Sequence, residues 1–239
     1  AKKFLENINS LIIQKDFENN NKIWVENFLN KKDCYYKKRD NDADLDTKKI
    51  KPSGLFKELR NIIPKNSSIT LDAGTLCLQA TDQFYFSEPK SLFTPLDFGL
   101  VGFSFAAGLG VKLAKPNSPV FSLMGDGGFG MTVSELSTAV SHKINTITIV
   151  MNNKSWGAEK AYQRDYYNKR YIGSDISSPP FHELAELYGA KGYHVNQLKD
   201  LKKVILDALN TNKPSVINVD VDQNALYSFR KDSFKHRLK

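Results

Sequence analysis

Apolar residues at the start of the chain return at helical spacing. Phe4, Leu5, Ile8, Leu11 and Ile12 form one stripe, and Ile23, Trp24, Phe28 and Leu29 form a second. Between and after them lie QKDFENNNK and KKRDNDADLDTKK, polar stretches that read as loops or linkers. The pattern predicts two helices that dock on something, followed by a connector. From Lys51 the period changes. Pro52-Ser53-Gly54 precedes the amphipathic stretch from Leu55 to Leu59, and SSITLDAG reads as a short buried strand ending in a glycine. Residues 102–114, GFSFAAGLGVKLA, are small and apolar enough for a tightly packed helix. PVFSLMGDGG is a second strand running into a glycine-rich turn, MTVSELSTAVSH a helix, and NTITIVMNN a third strand rich in β-branched residues. Phe181 to Tyr188 reads as helix, KGYHV as strand, Leu198 to Leu209 as helix and SVINVDV as a last strand.

Strands separated by helices of 10 to 15 residues make parallel βαβ units. The expected fold class is therefore α/β: a doubly wound parallel sheet with helices on both faces, preceded by a mostly helical segment. Ligands of such open sheets bind beyond the carboxyl ends of the strands. No internal repeat is visible at any fixed period.

Composition narrows the classes. The 239 residues carry 34 Lys and Arg against 26 Asp and Glu, a formal charge of +8. The basic clusters at Lys31-Lys32, Lys37 to Arg39 and Lys48 to Lys51 are broken by Asp33, Asp40, Asp42, Asp44 and Asp46. With no zinc-finger spacing and no aromatic RNA-binding signature, they read as solvated surface, and a nucleic-acid partner is not expected. An anionic small molecule fits the positive balance better. No apolar run reaches the ~18 residues of a membrane span, and AKKFLENINS lacks the apolar core of a secretory signal. Cys34 and Cys77 are too few for a disulfide scaffold, so a reducing cytoplasm is the expected location. The first residue is Ala, which suits a processed terminus or a piece of a longer chain.

The chemistry gathers where two strands end. One runs into Gly125-Asp126-Gly127-Gly128 and the other into Asn152-Asn153, at the same edge of the sheet. The glycines let backbone N–H groups approach an anion, and the helix beginning near Met131 points its positive end there. Asp126 offers a carboxylate oxygen and Asn153 an amide oxygen, a donor set suited to octahedral Mg²⁺ shared with a phosphate ligand. Asp126 and Asn153 lie 27 positions apart, with one helix and one strand between them.

A GDG followed at this distance by NN resembles the thiamine-diphosphate fingerprint. Residues 51–225 resemble the C-terminal, diphosphate-binding domain of the acetolactate synthase and pyruvate oxidase superfamily. The first 50 residues resemble the end of its middle domain plus a linker, and residues 226–239 form a basic tail. The resemblance implies thiamine diphosphate and Mg²⁺ as cofactors, the metal held by Asp126, the Asn153 side chain and the Ser155 carbonyl. It implies diphosphate contacts from Gly125, Gly127, Gly128, Gly74 and Thr75. Gly99 to Val101 would contact the aminopyrimidine, with Val101 in place of the bulky residue that bends the cofactor. Trp156 and Gly157 complete the implied cofactor contacts.

A second stretch, NNKSWGAEKAYQRDYYNKRYIG, resembles sulfoacetaldehyde acetyltransferases, above all at Trp156 to Lys160 and Asp165 to Tyr171. That implies addition of the cofactor's carbanion to the aldehyde, departure of the sulfonate as sulfite, and transfer of the acetyl group to phosphate. Lys160, Arg164 and Arg170 are the candidate contacts for these anions; the alternative for each is a solvated helix face, and Glu159 and Lys160 could pair with each other or with neighbours. A carboligase like acetolactate synthase, or a 2-oxoacid decarboxylase, is the rival on the same fold; a regulatory module that has lost turnover is a third.

The superfamily's pyrimidine-activating Glu comes from a separate N-terminal domain that nothing here matches. Glu135 and Glu159 lie on the diphosphate side. The expectation is a chain inactive by itself, completed by a pyrimidine domain of the same full-length chain or of a partner subunit, in a homodimer or homotetramer. Of the remaining residues, His142 is read as a cation closing a helix, His182 as structural at a helix start, and Cys77 as small and buried. His194 is assigned nothing, and Trp156 is either packing or a pocket wall.

Overall fold

The structure, a computed structural model, describes residues 1–14, 21–41, 43, 48–86, 88–95 and 97–227. The chain divides into two compact units, Ala1–Asp42 and Ala43–Lys239. The first holds the two expected helices, α1 (Lys2–Gln14) and α2 (Lys22–Asn41). Their apolar stripes stand exposed, Phe4, Leu5, Ile23, Trp24 and Phe28 among them, with Trp24 stacked on Phe28 at 5.6 Å. Helix α2 runs further than expected, through Lys37 to Asn41, with Lys38 and Arg39 in its last turn, where cations complement the helix dipole. Residues 42 and 44–47 of the expected connector, and the tail from residue 228, lie outside the described residues.

The second unit starts with α3 (Pro52–Ile62), β1 (Ser68–Leu71), α4 (Thr75–Gln83), β2 (Leu92–Phe93) and α5 (Phe103–Ala114). Next come β3 (Val120–Gly125), α6 (Asp126–Thr132), α7 (Leu136–Ser141) and β4 (Ile147–Asn152). The chain then forms α8 (Gly157–Tyr166), α9 (Phe181–Leu187), β5 (Lys191–Val195), α10 (Leu201–Asn210) and β6 (Ser215–Asp220). Six parallel strands stand in the order β2-β1-β3-β4-β6-β5.

The strand alternation sorts the core into two layers. Ile69, Leu71, Phe121, Leu123, Ile149 and Ile217 face Phe56 and Leu59 of α3, Leu76 of α4 and Ile205 of α10. Met124, Val150 and Val216 face the other way, against Phe105 of α5, Phe129 of α6, Leu136 of α7 and Phe181 of α9. The doubly wound α/β class is what the alternation predicts. Beneath α5, Thr70, Ser104 and Ser122 exchange buried hydrogen bonds of 2.8–3.0 Å, so this helix lies close on the sheet.

Three elements carry no clear sequence signal: β2 has only two residues, α4 follows Gly74, and α8 starts on Gly157. The expected helix from Met131 is corrected. Helix begins five residues earlier, at Asp126, and a 3₁₀ turn at Val133–Glu135 divides it into α6 and α7. A 3₁₀ turn, Leu198–Asp200, likewise opens α10. No helix among the described residues is long and apolar enough to cross a membrane.

Candidate functional site

After β1 the chain adds β2 on one side and β3 on the other, so the strand order reverses between β1 and β3. The residues leaving the carboxyl ends of these strands diverge there, and such a point opens a crevice. A cavity of about 230 Å³ occupies it. Asp72 to Thr75 line it after β1, Gly125 to Gly128 where β3 ends, and Asn153 with Ser155 to Glu159 after β4. Gly99, Val101 and Ala225 to Tyr227 supply further walls.

The glycines are there for space. A Cβ on Gly127 would stand 2.5 Å from the Trp156 ring, and one on Gly128 would overlap the Asp72 carboxylate. Asp126 opens α6, so the N–H groups of the first turn, which have no partner within the helix, lie at the cavity. Asp126 is 2% exposed. Burial pushes its carboxyl above the ordinary range; hydrogen bonds from Ser178 Oγ and from the N–H groups of Asp126, Gly127 and Lys154 pull it back in part. Asp72, 1% exposed, is likewise raised by burial and lowered by the N–H groups of Gly102 and Ser104, whose bonds to Oδ2 and Oδ1 measure 3.0 and 3.2 Å.

The loop after β4 is held from both sides. Lys154 adopts left-handed backbone at φ 52°, a strained conformation for a residue with a Cβ. Its N–H donates to Asn152 Oδ1 at 3.3 Å, and the Ser155 N–H donates to Asn153 Oδ1 at 3.2 Å. Asn152 is bonded through Nδ2 to Asn218 Oδ1, and Asn218 Nδ2 to Asp220 Oδ1, both at 3.0 Å. The chain of polar side chains ends at the surface, where His194 Nε2 meets Asp220 Oδ2 at 2.7 Å.

Of the residues singled out from sequence, Gly74, Thr75, Gly99, Val101, Gly125 to Gly128, Asn153, Ser155, Trp156 and Gly157 all line this one cavity. Trp156 is both wall and packing, since it fills the space above Gly127. The three cationic candidates do not line it. Lys160 Nζ is paired with Asp175 at 2.5 Å. Arg164 clasps Asp165 and donates to the Leu226 carbonyl at 3.0 Å, and Arg170 is exposed. Among the described residues no Lys or Arg lines the cavity, whereas three carboxylates do: Asp72, Asp126 and Glu159. His142 closes α7 and His182 opens α9, as expected, and Cys77 is buried. Sequence reasoning passed over Asp72, Ser178 and Ala225 to Tyr227. Only Asp72 carries a signal, a charged residue directly after a fully buried strand.

A hard dication fits these donors. Asp126 is a buried carboxylate with no cationic side chain among the described residues of its cavity, and the Asn153 and Ser155 oxygens lie in the same cavity wall. Ser155 Oγ is buried without a hydrogen-bond partner. Among the described residues no cluster of three His, Cys, Asp or Glu could hold a metal, which leaves the mixed oxygen set that Mg²⁺ takes when a phosphate completes its shell.

A parallel doubly wound sheet with a glycine-walled cavity at its reversal point defines an α/β ligand-binding domain, its site furnished with backbone N–H groups and hard oxygens. Residues 72–219 match the family model "Thiamine pyrophosphate enzyme, C-terminal TPP binding domain", and the chain belongs to that family. It is similar to a sulfoacetaldehyde acetyltransferase of Castellaniella defragrans, 33% identical over 188 residues that make up 77% of this chain and 31% of the relative. It is also similar to a probable acetolactate synthase large subunit of Methanococcus aeolicus, 30% identical over 91% of this chain and 37% of the relative. Among solved structures, a thiamine diphosphate-dependent 4-hydroxybenzoylformate decarboxylase of Rhodococcus jostii RHA1 superposes with a TM-score of 0.71 at 27% identity, covering 77% of this chain and 35% of that one. The chain thus spans about a third of the length of these relatives.

Proposed function

We propose that this chain supplies the diphosphate- and Mg²⁺-binding half of an enzyme that converts sulfoacetaldehyde and phosphate to acetyl phosphate and sulfite. The observation that carries the reading is the segment after Asn153. Its resemblance to sulfoacetaldehyde acetyltransferases is strongest at Trp156 to Lys160, and Trp156 to Glu159 are a wall of the cavity. The likeness to the Castellaniella enzyme supports it.

When bound, thiamine diphosphate supplies a thiazolium carbanion able to add to a carbonyl carbon. This chain's residues bind and orient. The N–H groups of Gly127 and Gly128 hold diphosphate oxygens, as Gly74 and Thr75 do from the β1 side. Asp126, the Asn153 amide oxygen and the Ser155 carbonyl hold Mg²⁺. Val101 supports the ring system, and Trp156 keeps water from the diphosphate side. Lys160 and Arg164, committed to Asp175, Asp165 and Leu226, act by holding these walls. Cations for the sulfonate and the attacking phosphate come from outside the described cavity wall.

A pyrimidine-binding domain, from the rest of the protein or from a partner subunit, completes the site. In support, Phe98, Leu100, Val101 and Met131 stand 43–87% exposed, and Val101 lines the cavity. The 239-residue chain alone is then inactive, and turnover without added protein would overturn that.

The deciding experiment supplies the full-length protein with Mg²⁺, thiamine diphosphate and sulfoacetaldehyde and follows sulfite with and without phosphate. Phosphate-dependent sulfite with equal acetyl phosphate is the expected result. No sulfite from sulfoacetaldehyde, with pyruvate consumed when it is supplied instead, would move the enzyme to the acetolactate synthase branch. That second reading has support of its own, because the Methanococcus relative aligns with 91% of the chain against 77% for the acetyltransferase.

A further inference from the structure

The oxygens assigned to Mg²⁺ arise on two loops. Asp126 follows β3, whereas Asn153 and Ser155 follow β4. One short segment, residues 174–178, touches both. Its first part runs antiparallel to the β4 loop: the Trp156 N–H donates to the Ser174 carbonyl at 2.8 Å, and the Ile176 N–H to the Lys154 carbonyl at 3.1 Å. Ser155 and Asp175 form the bridge between them. Its last residue reaches the other loop, where Ser178 Oγ donates to Asp126 Oδ2 at 2.5 Å.

Both ends of the segment are anchored. Ser174 is 2% exposed, and Asp175 is paired with Lys160 of α8. Three residues past Ser178, Phe181 is buried edge-on against Phe129 of α6 at 5.1 Å, and Phe129 in turn against Phe105 at 5.4 Å. Ser178 does not line the cavity, so it grips the carboxylate from outside and occupies none of the ligand's space.

We propose that residues 174–178 are a strap that fixes the spacing of the two loops, and that Ser178 is a positioning residue holding the Asp126 carboxylate in one orientation. The proposal rests on the Mg²⁺ reading of the site. A carboxylate turns freely about its last side-chain bond, with a broad preference there. The N–H groups of Asp126, Gly127 and Lys154 hold it in part, and without Ser178 metal binding must complete its ordering. Partners behind a metal ligand typically change affinity by about 10- to 100-fold when removed. Ser178→Ala therefore weakens Mg²⁺ by about tenfold, and Ser178→Thr, which keeps the hydroxyl, restores it.

The test is calorimetric titration of Mg²⁺ into the full chain at fixed thiamine diphosphate, for the wild type, Ser178→Ala, Ser178→Thr and Asp126→Asn, with ligand-free melting recorded for each. Weaker Mg²⁺ binding in Ser178→Ala, recovery in Ser178→Thr, similar ligand-free melting of the two, and loss of binding in Asp126→Asn are the expected results. Unchanged or tighter binding in Ser178→Ala, beside a loss in Asp126→Asn, would overturn the positioning role and leave the metal reading standing. A loss that Thr does not recover, or one tracked by the ligand-free melting, would reduce Ser178 to packing and overturn it too. If Asp126→Asn binds like the wild type, or the wild type takes up no Mg²⁺, the metal assignment itself fails and takes the strap's role with it.

Discussion

His182 and His194 lie ring on ring, 4.7 Å between centroids and 5° from parallel, and His182 Nδ1 is buried without a hydrogen-bond partner. Burial first, and then the charge of His194, push the His182 pKa below its ordinary 6.5, although Glu183, Asp220 and Glu186 pull the other way. The folded state therefore takes up this proton less readily than the unfolded chain. The stability it contributes is complete above pH 6.5 and is lost as the pH falls through the lowered folded value. His182→Phe keeps a ring on His194 and removes the titration. Its melting temperature falls less than the wild type's between pH 7.5 and pH 5, and equal falls would refute the assignment. The glycines give a second test. Gly127→Ala drives a methyl into the Trp156 ring and costs about 1–3 kcal/mol by denaturant titration. Gly125→Ala, with nothing within 4 Å of the new carbon, is close to neutral. At this scale the sequence is read most easily where a residue's role follows from its neighbours in the chain: Asp126 and Asn153 each come directly after a strand, and their spacing can be counted. Asp72 and Ser178 act on partners 30 and 52 positions away, and only the folded sheet brings those together.

Strand β4 is flanked by β3 and β6 and buried along its whole length, and Ile149 at its middle is fully enclosed. Ile149→Ala costs about 2–5 kcal/mol, seen as a lower denaturant midpoint at constant slope. Leu187, at the end of α9 and 84% exposed, is the control, and its alanine variant stays within about 0.5 kcal/mol of wild type. The contrast explains which elements are legible beforehand. A run such as NTITIVMNN is β-branched and apolar because both its faces are covered, so composition alone reveals it. Strand β2 pairs only Leu92 and Phe93 with β1, too short to impose any period. The start of α6 was hidden for a different reason: three of its seven residues are glycines, poor helix formers. Two of them, Gly127 and Gly128, are needed there because Trp156 and Asp72 take the space a side chain would fill.

As a whole, the described structure is a cofactor-binding domain whose chain spans about a third of its relatives, and the alternation of strands and helices was enough to give its class. The substrate was not legible in the same way, since of the cations expected to select it Lys160 and Arg164 are tied up in the walls and Arg170 is exposed away from the cavity lining. That arrangement has an electrical consequence. Among the described lining residues Asp72, Asp126 and Glu159 have no Lys or Arg to offset them, so they repel a diphosphate that arrives alone, whereas a lone dication meets only one carboxylate and two neutral oxygens of its intended shell. On the function proposed here, each therefore needs the other. Whatever factor Mg²⁺ adds to the affinity for thiamine diphosphate, thiamine diphosphate returns to Mg²⁺. Titrating either without its companion yields little binding, and titrating both together shows strong coupling; tight uptake of thiamine diphosphate in the presence of a chelator would contradict this. The domain then acts as a coincidence detector, filling only where cation and cofactor are both plentiful and staying empty when either is scarce.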